Sequence, residues 1–184
     1  MRTFLALEIP EETVAYLASC IGRLAKRTAD VRWVRNEGIH VTFKFLGEID
    51  ETLARRMEGR LLPMGSLFAP IKARLGRLDA FPSMRSARVI VVRVGEGGEE
   101  MGALFSEVEE RLAGIGVERE KRGFTPHITL GRRRVPKPFP DGDPIAIEER
   151  EFLVESLVLF QSTLTPGGAI YAPIWKIKLG GEER

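Results

Sequence analysis

The stretch that decides the fold of this chain is GIHVTFKFLG, residues 38–47, and it has a counterpart in FTPHITLG, residues 124–131. Each contains a histidine, an apolar residue, a threonine and a second apolar residue, reading H-V-T-F from His40 and H-I-T-L from His127. The 184-residue chain has only these two histidines. Because side chains alternate between the two faces of a strand, each histidine shares a face with its threonine, and the apolar residues can be buried on the other face. We therefore predict two matching strands, each with a reactive front and an apolar back.

The segments that precede these strands also match each other. Residues 3–9 are typical of a strand, and Pro10 begins an amphipathic helix, while residues 88–94 are typical of a strand that leads into a second amphipathic helix. The apolar residues at helical spacing are Val14, Leu17, Ala18, Ile21 and Leu24 in the first helix, and Met101, Leu104, Phe105, Val108 and Leu112 in the second. This recurrence predicts an internal duplication, and an α+β fold made of two β-α-β units. We expect one domain over residues 1–184, in which a pseudo-twofold repeat brings the two H-x-T strands to face each other across a cleft.

The remaining segments are assigned from turn and capping signals. Asp50 is expected to cap a short helix, and Cys20, placed away from the centre of the first helix's apolar stripe, is expected to be structural. The other expected features are a turn at residues 36–38, an extended segment at 71–78, a turn-rich link at 80–87, a proline-rich loop at 135–144, and final strands at 152–160 and 169–179.

Composition excludes several classes of protein. The chain is 43% hydrophobic with a mean hydropathy of -0.08, and its apolar runs are shorter than the roughly 18 residues that span a membrane. The first residues turn acidic too early for a secretory signal, and a single cysteine provides no disulfide, which fits a reducing cytoplasm. Two histidines and one cysteine supply few metal ligands. We expect a cytoplasmic monomer with no membrane segment, metal or cofactor.

Positive charge is concentrated around His127. The net charge is only +2, but seven basic residues face one acid, Glu120, between positions 119 and 137. The basic residues are Arg119, Lys121, Arg122, Arg132, Arg133, Arg134 and Lys137. Such a surface attracts phosphate, although a solvated basic loop beside a strand would have the same composition.

Two imidazoles with an ordinary pKa of about 6.5 can divide one reaction between them. One takes a proton from an attacking water and the other gives a proton to the departing oxygen, which suits in-line displacement at phosphorus without a metal. The hydroxyls of Thr42 and Thr129 can donate hydrogen bonds to phosphate oxygens. A serine nucleophile elbow is missing, and the glycine-rich GEGGEE at 95–100 lacks the G-K-[ST] of a phosphate-binding loop. The pattern indicates phosphodiester hydrolysis.

The chain resembles the 2H phosphoesterases, and most closely the bacterial and archaeal RNA 2′,3′-cyclic phosphodiesterases formerly called 2′-5′ RNA ligases. The resemblance spans nearly the whole chain: RTFLALEIPEE, VRWVRNEGIHVTFKFLGEID, FPS before a strand, FTPHITLGR and LVLFQSTLTPGGAIYAPI. It implies two antiparallel-sheet lobes around a central cleft, with helices outside, and RNA ends or cyclic nucleotides as substrate.

By this resemblance, His40 is the proton donor to the leaving oxygen, His127 is the base that activates water, and Thr42 and Thr129 hold the phosphate. The implied product is a 2′-phosphomonoester. Strict strand alternation places Lys44 and Arg133 on the histidine faces, whereas the family's basic residue after the second motif aligns with Arg132, and the sequence leaves this conflict open. Candidates for stacking on the base are Phe45, Phe124, Trp33 and Tyr171.

Two other functions fit the same residues. One keeps the catalysis but changes its direction or substrate, as a 2′-5′ RNA ligase or a 2′-5′ phosphodiesterase. The other is a non-catalytic module that binds nucleotides or RNA ends in the same cleft.

Overall fold

The computed structural model describes residues 1–139, 145–166 and 168–181, and in these residues nine strands and four helices follow one another. They are β1 (Arg2–Glu8), α1 (Glu11–Ala25), β2 (Arg32–Trp33), β3 (His40–Glu48), α2 (Glu51–Leu61), α3 (Met64–Leu67), β4 (Ile71–Ser83), β5 (Ser86–Val94), α4 (Gly98–Ala113), β6 (His127–Lys137), β7 (Glu151–Val154), β8 (Ser156–Thr165) and β9 (Gly168–Lys178). A single 3₁₀ turn at Asn36–Gly38 occupies the position of the predicted turn. None of the described helices is long and apolar enough to cross a membrane.

All strand pairs are antiparallel, and the sheet order is β7-β4-β5-β6-β3-β1-β8-β9, with β2 paired to β6. The strand order follows the same pattern on both sides of the centre of the sheet. In each half the H-x-T strand, β3 or β6, is innermost, and the strand that leads into the amphipathic helix, β1 or β5, lies beside it. This arrangement confirms the α+β fold class with two antiparallel lobes. Its origin in an internal duplication stays a prediction.

The two lobes are joined at one backbone position. Val41 of β3 pairs with Ile128 of β6, and this is the single residue pair between these strands in the described part of the sheet. Both side chains are fully buried in the core that fills the space under the sheet. The join therefore lies inside both H-x-T units.

Two helices begin where the sequence predicts. Asp50 caps α2, since its carboxylate accepts a hydrogen bond from the backbone N–H of Leu53 at 2.7 Å. Pro10 directly precedes α1, but the buried stripe of α1 is rotated from the predicted one, because Thr13, Tyr16 and Cys20 are buried while Val14 and Ala18 are only partly so. The expectation that Cys20 lies off the centre of the stripe is therefore wrong, since its side chain is fully buried in the core.

Strand boundaries differ from the sequence analysis at three places. β4 continues through Ser83, so the link predicted at 80–87 is only a tight turn before β5. β6 continues to Lys137 and takes in the start of the predicted proline-rich loop, of which residues 140–144 lie outside the described residues. The strand expected at 152–160 is two strands interrupted at Glu155, because β7 pairs with β4 in one lobe and β8 pairs with β1 in the other.

Candidate active site

The paired strands bring the two H-x-T units side by side. His40, Thr42, His127 and Thr129 are all partly exposed, whereas the residues between them are buried, as the alternation predicts. Extending the Val41–Ile128 register by one residue in each direction places His40 opposite Thr129 and His127 opposite Thr42. The two histidines are then diagonal neighbours. In an antiparallel pair the Cα atoms of diagonal neighbours lie about 7–8 Å apart, and their Cβ atoms lie somewhat closer.

Two adjoining cavities open on this face of the sheet. His127 lines a cavity of about 650 Å³ and His40 lines a cavity of about 410 Å³. Four residues form walls of both cavities: Thr42, Phe45, Thr129 and Arg132. The two imidazoles therefore lie on either side of a shared wall that carries both threonines.

A backbone contact fixes the orientation of the His127 ring. Nδ1 of His127 lies 2.7 Å from the backbone carbonyl oxygen of Thr125. Because a carbonyl only accepts, Nδ1 donates this hydrogen bond, and Nε2 of the neutral ring is left as the acceptor. Burial lowers the pKa of His127, and the charges of Arg93 and Arg132 lower it further, while the hydrogen bond to Thr125 opposes the shift.

His40 is enclosed by aromatic rings. Its imidazole stacks on Phe4 with a centroid distance of 5.0 Å, and Phe160 and Tyr171 lie at 6.1 and 5.8 Å. This burial lowers the pKa of His40 to about 4, against a hydrogen bond to the backbone of Glu37 that raises it. His40 is therefore neutral near pH 7 in the free protein.

Arg132 is close enough to influence both histidines, since its charge lowers the pKa of each. It reaches the site because the strand register skips a residue after Thr129. Thr129 pairs with Val91 and Gly131 pairs with Ile90, so Leu130 is the extra residue of a β-bulge. The bulge inverts the alternation, and Arg132 points to the cavities while Arg133 is buried.

The same inversion occurs in the first unit. Thr42 pairs with Ala6 and Lys44 pairs with Leu5, so Phe43 is the extra residue. Lys44 is consequently buried on the far face, with Nζ 2.7 Å from a carboxylate oxygen of Glu109, and Phe45 is 64% exposed between the two cavities. The structure thus puts Arg132 on the face of the cavities, and strict alternation is wrong for Lys44 and Arg133, while the role of Arg132 in binding phosphate stays a prediction.

The predicted basic cluster is partly neutralised by acids that lie outside its sequence span. Arg133 and Lys137 both lie 3.4 Å from Asp30, and Arg119 and Lys121 pair with Glu110 and Glu118. From this cluster, Arg122 and Arg132 line the larger cavity.

The four stacking candidates are divided among three cavities. Phe45 and Phe124 line the larger cavity, Phe45 and Tyr171 line the smaller, and Trp33 lines a further recess of about 250 Å³ beside Arg132. Sequence reasoning missed Phe4, Phe81 and Arg88, which also line the cavities. Phe4 stands in an apolar run that predicts only a core strand, Phe81 belongs to the FPS segment that the family resemblance includes but was not assigned a role, and no local signal marks Arg88.

No group of three or more histidine, cysteine, aspartate or glutamate side chains in the described ranges could hold a metal ion.

Comparison with known families decides where the chain belongs. The sequence model of the 2′-5′ RNA ligase superfamily matches residues 10–164. The chain belongs to the 2′-5′ RNA ligase superfamily. The membership predicted from the two H-x-T units is therefore confirmed.

Relatives of this superfamily align over almost their whole length. The RNA 2′,3′-cyclic phosphodiesterase of Methanocaldococcus jannaschii is 32% identical over 183 residues, covering 95% of this chain and 98% of the relative. The protein of the same name from Archaeoglobus fulgidus is 33% identical over 176 residues, covering 93% and 96%. A crystal structure of a protein from Thermus thermophilus superposes with a TM-score of 0.86 at 28% identity over all of both chains. LigT of E. coli complexed with 3′-AMP, 21% identical over 98% of each chain, shares the fold with a TM-score of 0.80.

Proposed function

We propose that this superfamily member hydrolyses 2′,3′-cyclic phosphate ends of RNA to 2′-phosphomonoesters by two-histidine acid–base catalysis without a metal. The observation that carries the proposal is the convergence of both H-x-T units on one shared wall between two cavities. The name RNA 2′,3′-cyclic phosphodiesterase, borne by relatives that align along nearly the whole chain, supports the same reaction.

The shared wall is where the cyclic phosphate is expected to bind. No hydrogen bond within the described residues occupies the hydroxyl of Thr42 or Thr129, so both can donate to the non-bridging phosphate oxygens. Arg132 lines both cavities and can neutralise charge that develops on the phosphorane-like transition state.

The hydrogen bond from His127 to Thr125 prepares this ring as the base. Its free Nε2 accepts a proton from water as the water oxygen forms a bond to phosphorus. On the opposite side the bond from phosphorus to the 3′-oxygen breaks, and His40 gives that oxygen a proton. The assignment of donor and base follows the family resemblance, and solvent exchange restores both protonation states.

The cycle requires that bound substrate raise the pKa of His40. The aromatic enclosure holds this pKa at about 4 in the free protein, so few molecules have the donor protonated near neutrality. A phosphodiester beside the ring brings a negative charge into a poorly solvated site, which favours the imidazolium. The substrate thus assists in charging its own proton donor.

The test is turnover of a nucleoside 2′,3′-cyclic monophosphate and of a dinucleotide with a cyclic end, in the presence of EDTA. His40→Ala and His127→Ala are each expected to lower kcat by on the order of 10²–10⁴. Chromatography against 2′- and 3′-monophosphate standards identifies the product. Full activity in either histidine variant, or loss of wild-type turnover in EDTA, contradicts the proposal. Saturable binding without any product would instead identify a binding module.

The superfamily name makes ligation the second candidate. A 5′-hydroxyl RNA end can replace water in the same in-line exchange, with His127 again taking the proton. Raising the concentration of 5′-hydroxyl RNA at a fixed concentration of cyclic-ended RNA would then yield joined product at the expense of monoester.

A further inference from the structure

The two cavities of the active site continue into a third. The recess of about 250 Å³ beside Trp33 shares six lining residues with the His40 cavity: Val34, Gly38, Arg132, Leu164, Ala169 and Tyr171. Arg132 lines all three spaces. The surface therefore carries one trough that runs from His127, past the shared wall and His40, to the Trp33 recess.

Two arginines stand directly opposite each other in this recess. The register of β2 on β6 pairs Arg32 with Arg132, and opposite residues in an antiparallel pair have Cβ atoms about 4.5–5.5 Å apart. Both side chains are exposed and both line the recess, where Glu37 is the lone acid among the lining residues that the structure describes. In the part of the chain that the structure describes, neither Arg32 nor Arg132 forms an ion pair or a hydrogen bond. Like charges placed directly across a strand pair repel each other, so this arrangement gains from a bound anion.

The opposition of these arginines is built into the backbone. β2 lies so close to β6 that a Cβ on Gly131 would come within 2.6 Å of Val31 and 2.8 Å of Trp33, so only glycine fits there. The backbone N–H of Val34 donates to the carbonyl of Leu130 at 2.9 Å, which extends the pairing past the two-residue strand. The positions of the two guanidinium groups therefore follow from the fold of the sheet.

Several arginines elsewhere in the protein are neutralised by acids. Arg74, Arg93 and Arg111 form ion pairs at 2.7–3.2 Å with neighbouring carboxylates. Arg32 and Arg132 differ from these residues because they face each other across a strand pair and share the recess with one acid, Glu37, among the described lining residues. The recess is therefore a cationic site that a bound anion would stabilise.

The proposed chemistry indicates how a substrate lies in the trough. In an in-line displacement the attacking water and the leaving oxygen occupy opposite sides of the phosphorus. With His127 activating the water and His40 protonating the 3′-oxygen, the terminal ribose lies on the His40 side. The RNA chain that precedes it then continues away from His127, towards the recess.

We propose that Arg32 binds the phosphodiester that joins the terminal nucleotide to the preceding one, while Arg132 stands between the two phosphates and adds positive charge near both, so that the substrate is an oligonucleotide end rather than a free cyclic nucleotide. This inference rests on the proposed function of the shared wall. Arg32 pairs with Arg132, which follows Thr129 by three residues on β6, so the long side chain of Arg32 can reach a phosphate one nucleotide away from the shared wall.

The experiment compares two substrates that differ only in this phosphate. One is adenosine 2′,3′-cyclic monophosphate with a free 5′-hydroxyl, and the other is a dinucleotide with the same cyclic adenosine at its end. Arg32→Gln is expected to lower the ratio of kcat/KM for the dinucleotide to that for the mononucleotide about tenfold, the loss of one charged hydrogen bond. Arg32→Lys should recover part of the ratio because it restores the charge.

Arg85→Gln is the matched control, since Arg85 is an exposed arginine at the β4–β5 turn and lines none of the three cavities. It should leave the ratio unchanged. The slope of log kcat/KM for the dinucleotide against log salt concentration should become shallower by about 0.7 in Arg32→Gln, as expected for one lost phosphate contact with a single strand. A structural defect would lower kcat/KM for both substrates together and leave the salt slope unchanged.

An unchanged ratio and salt slope in Arg32→Gln would overturn the inference while leaving the proposed function intact. Absence of wild-type turnover on both substrates would instead overturn the proposed function. In that case the same comparison is made on equilibrium dissociation constants, where a tenfold loss of dinucleotide affinity relative to mononucleotide supports the phosphate subsite and equal losses refute it.

Discussion

The imidazoles of His40 and His127 are surrounded to different extents, and this governs how activity should depend on pH. Burial lowers both pKa values, to about 4 for His40 and to a value below 6.5 for His127. Acid–base catalysis by the pair needs one proton between them. In the free protein a single shared proton is present mainly between the two pKa values, where it rests mostly on His127. The productive form, with the proton on His40, is a minor fraction that varies with pH in the same way, and above the pKa of His127 both rings are neutral. We therefore expect the alkaline limb of the kcat/KM profile to begin below pH 6.5. Along this limb kcat/KM should fall tenfold per pH unit.

Bound substrate should shift this limb. A negative phosphate near both rings favours their charged forms, so the alkaline limb of kcat should lie at higher pH than that of kcat/KM. Initial rates from pH 4 to 9, measured at low and at saturating cyclic nucleotide, give the two profiles. A kcat/KM that stays constant up to pH 8 would contradict the lowered pKa values of the two histidines. In His127→Ala any residual activity still needs protonated His40, so its alkaline limb should move to the lower pKa of His40.

Individual site residues were predictable only where alternation holds. His40, Thr42, His127 and Thr129 share one face, as a period of two requires. Beyond each threonine the prediction failed for Lys44 and Arg133, because one extra residue in each strand reverses the faces. Whether a strand carries such a bulge depends on its hydrogen bonds to β1 or β5. Those bonds join residues far apart in the chain, so the local sequence does not reveal them.

At the level of elements, a buried ion pair joins β3 to α4. Lys44 and Glu109 are 5% and 7% exposed, and the second carboxylate oxygen of Glu109 accepts a hydrogen bond from the backbone N–H of Glu120 at 2.5 Å. The pair thus ties the segment that leads to Thr125, and hence to His127, onto the core. Lys44→Met would leave the Glu109 carboxylate buried without its partner. We expect it to lower the free energy of unfolding by about 3–5 kcal/mol.

Urea denaturation of Lys44→Met measures this loss. The double variant Lys44→Met/Glu109→Leu removes both charges and should recover a large part of the stability, since an apolar pair often replaces a buried ion pair at little cost. Lys176→Met is the surface control, because the Lys176–Glu8 pair is roughly half exposed and should contribute less than about 1 kcal/mol. Equal losses in the single and double variants would show that the charge left behind is not the cause.

Element boundaries were predicted best where local signals decide them. The Asp50 cap and the amphipathic pattern of α4 are local, and both agree with the structure. The interruption at Glu155 is not local, because it marks the passage from β7 in one lobe to β8 in the other. The polar residues Glu155 and Ser156 interrupt an otherwise apolar run, but two polar residues do not show that the ends of the run belong to different lobes.

For the molecule as a whole, the recurrence of strand, helix and H-x-T strand was enough to predict two similar lobes. It did not show that the lobes would meet along the H-x-T strands themselves, through the single pair Val41–Ile128. That join places one threonine of each lobe on the shared wall. A phosphate bound there would contact both lobes at once, so its binding energy should depend equally on each.

Binding of the reaction product tests this expectation on the intact protein. Adenosine 2′-monophosphate at about 100 times its dissociation constant should stabilise the fold by about 2.7 kcal/mol, which for a chain of this size raises Tm by about 5–10 °C. Thr42→Val and Thr129→Val each remove one hydrogen bond to a charged group and should weaken binding about tenfold or more, so the Tm shift at the same concentration falls to about half or less.

Thr163→Val serves as the matched control, because Thr163 is an exposed threonine on β8 outside the cavities and should keep the full shift. Differential scanning calorimetry with and without the nucleotide measures all four proteins, and adenosine without phosphate shows how much of the shift depends on the base. If one threonine variant loses the shift and the other keeps it, a single lobe holds the phosphate. The two halves of the sheet would then not act as one site, because the charge they are proposed to share would be bound on only one side of the join.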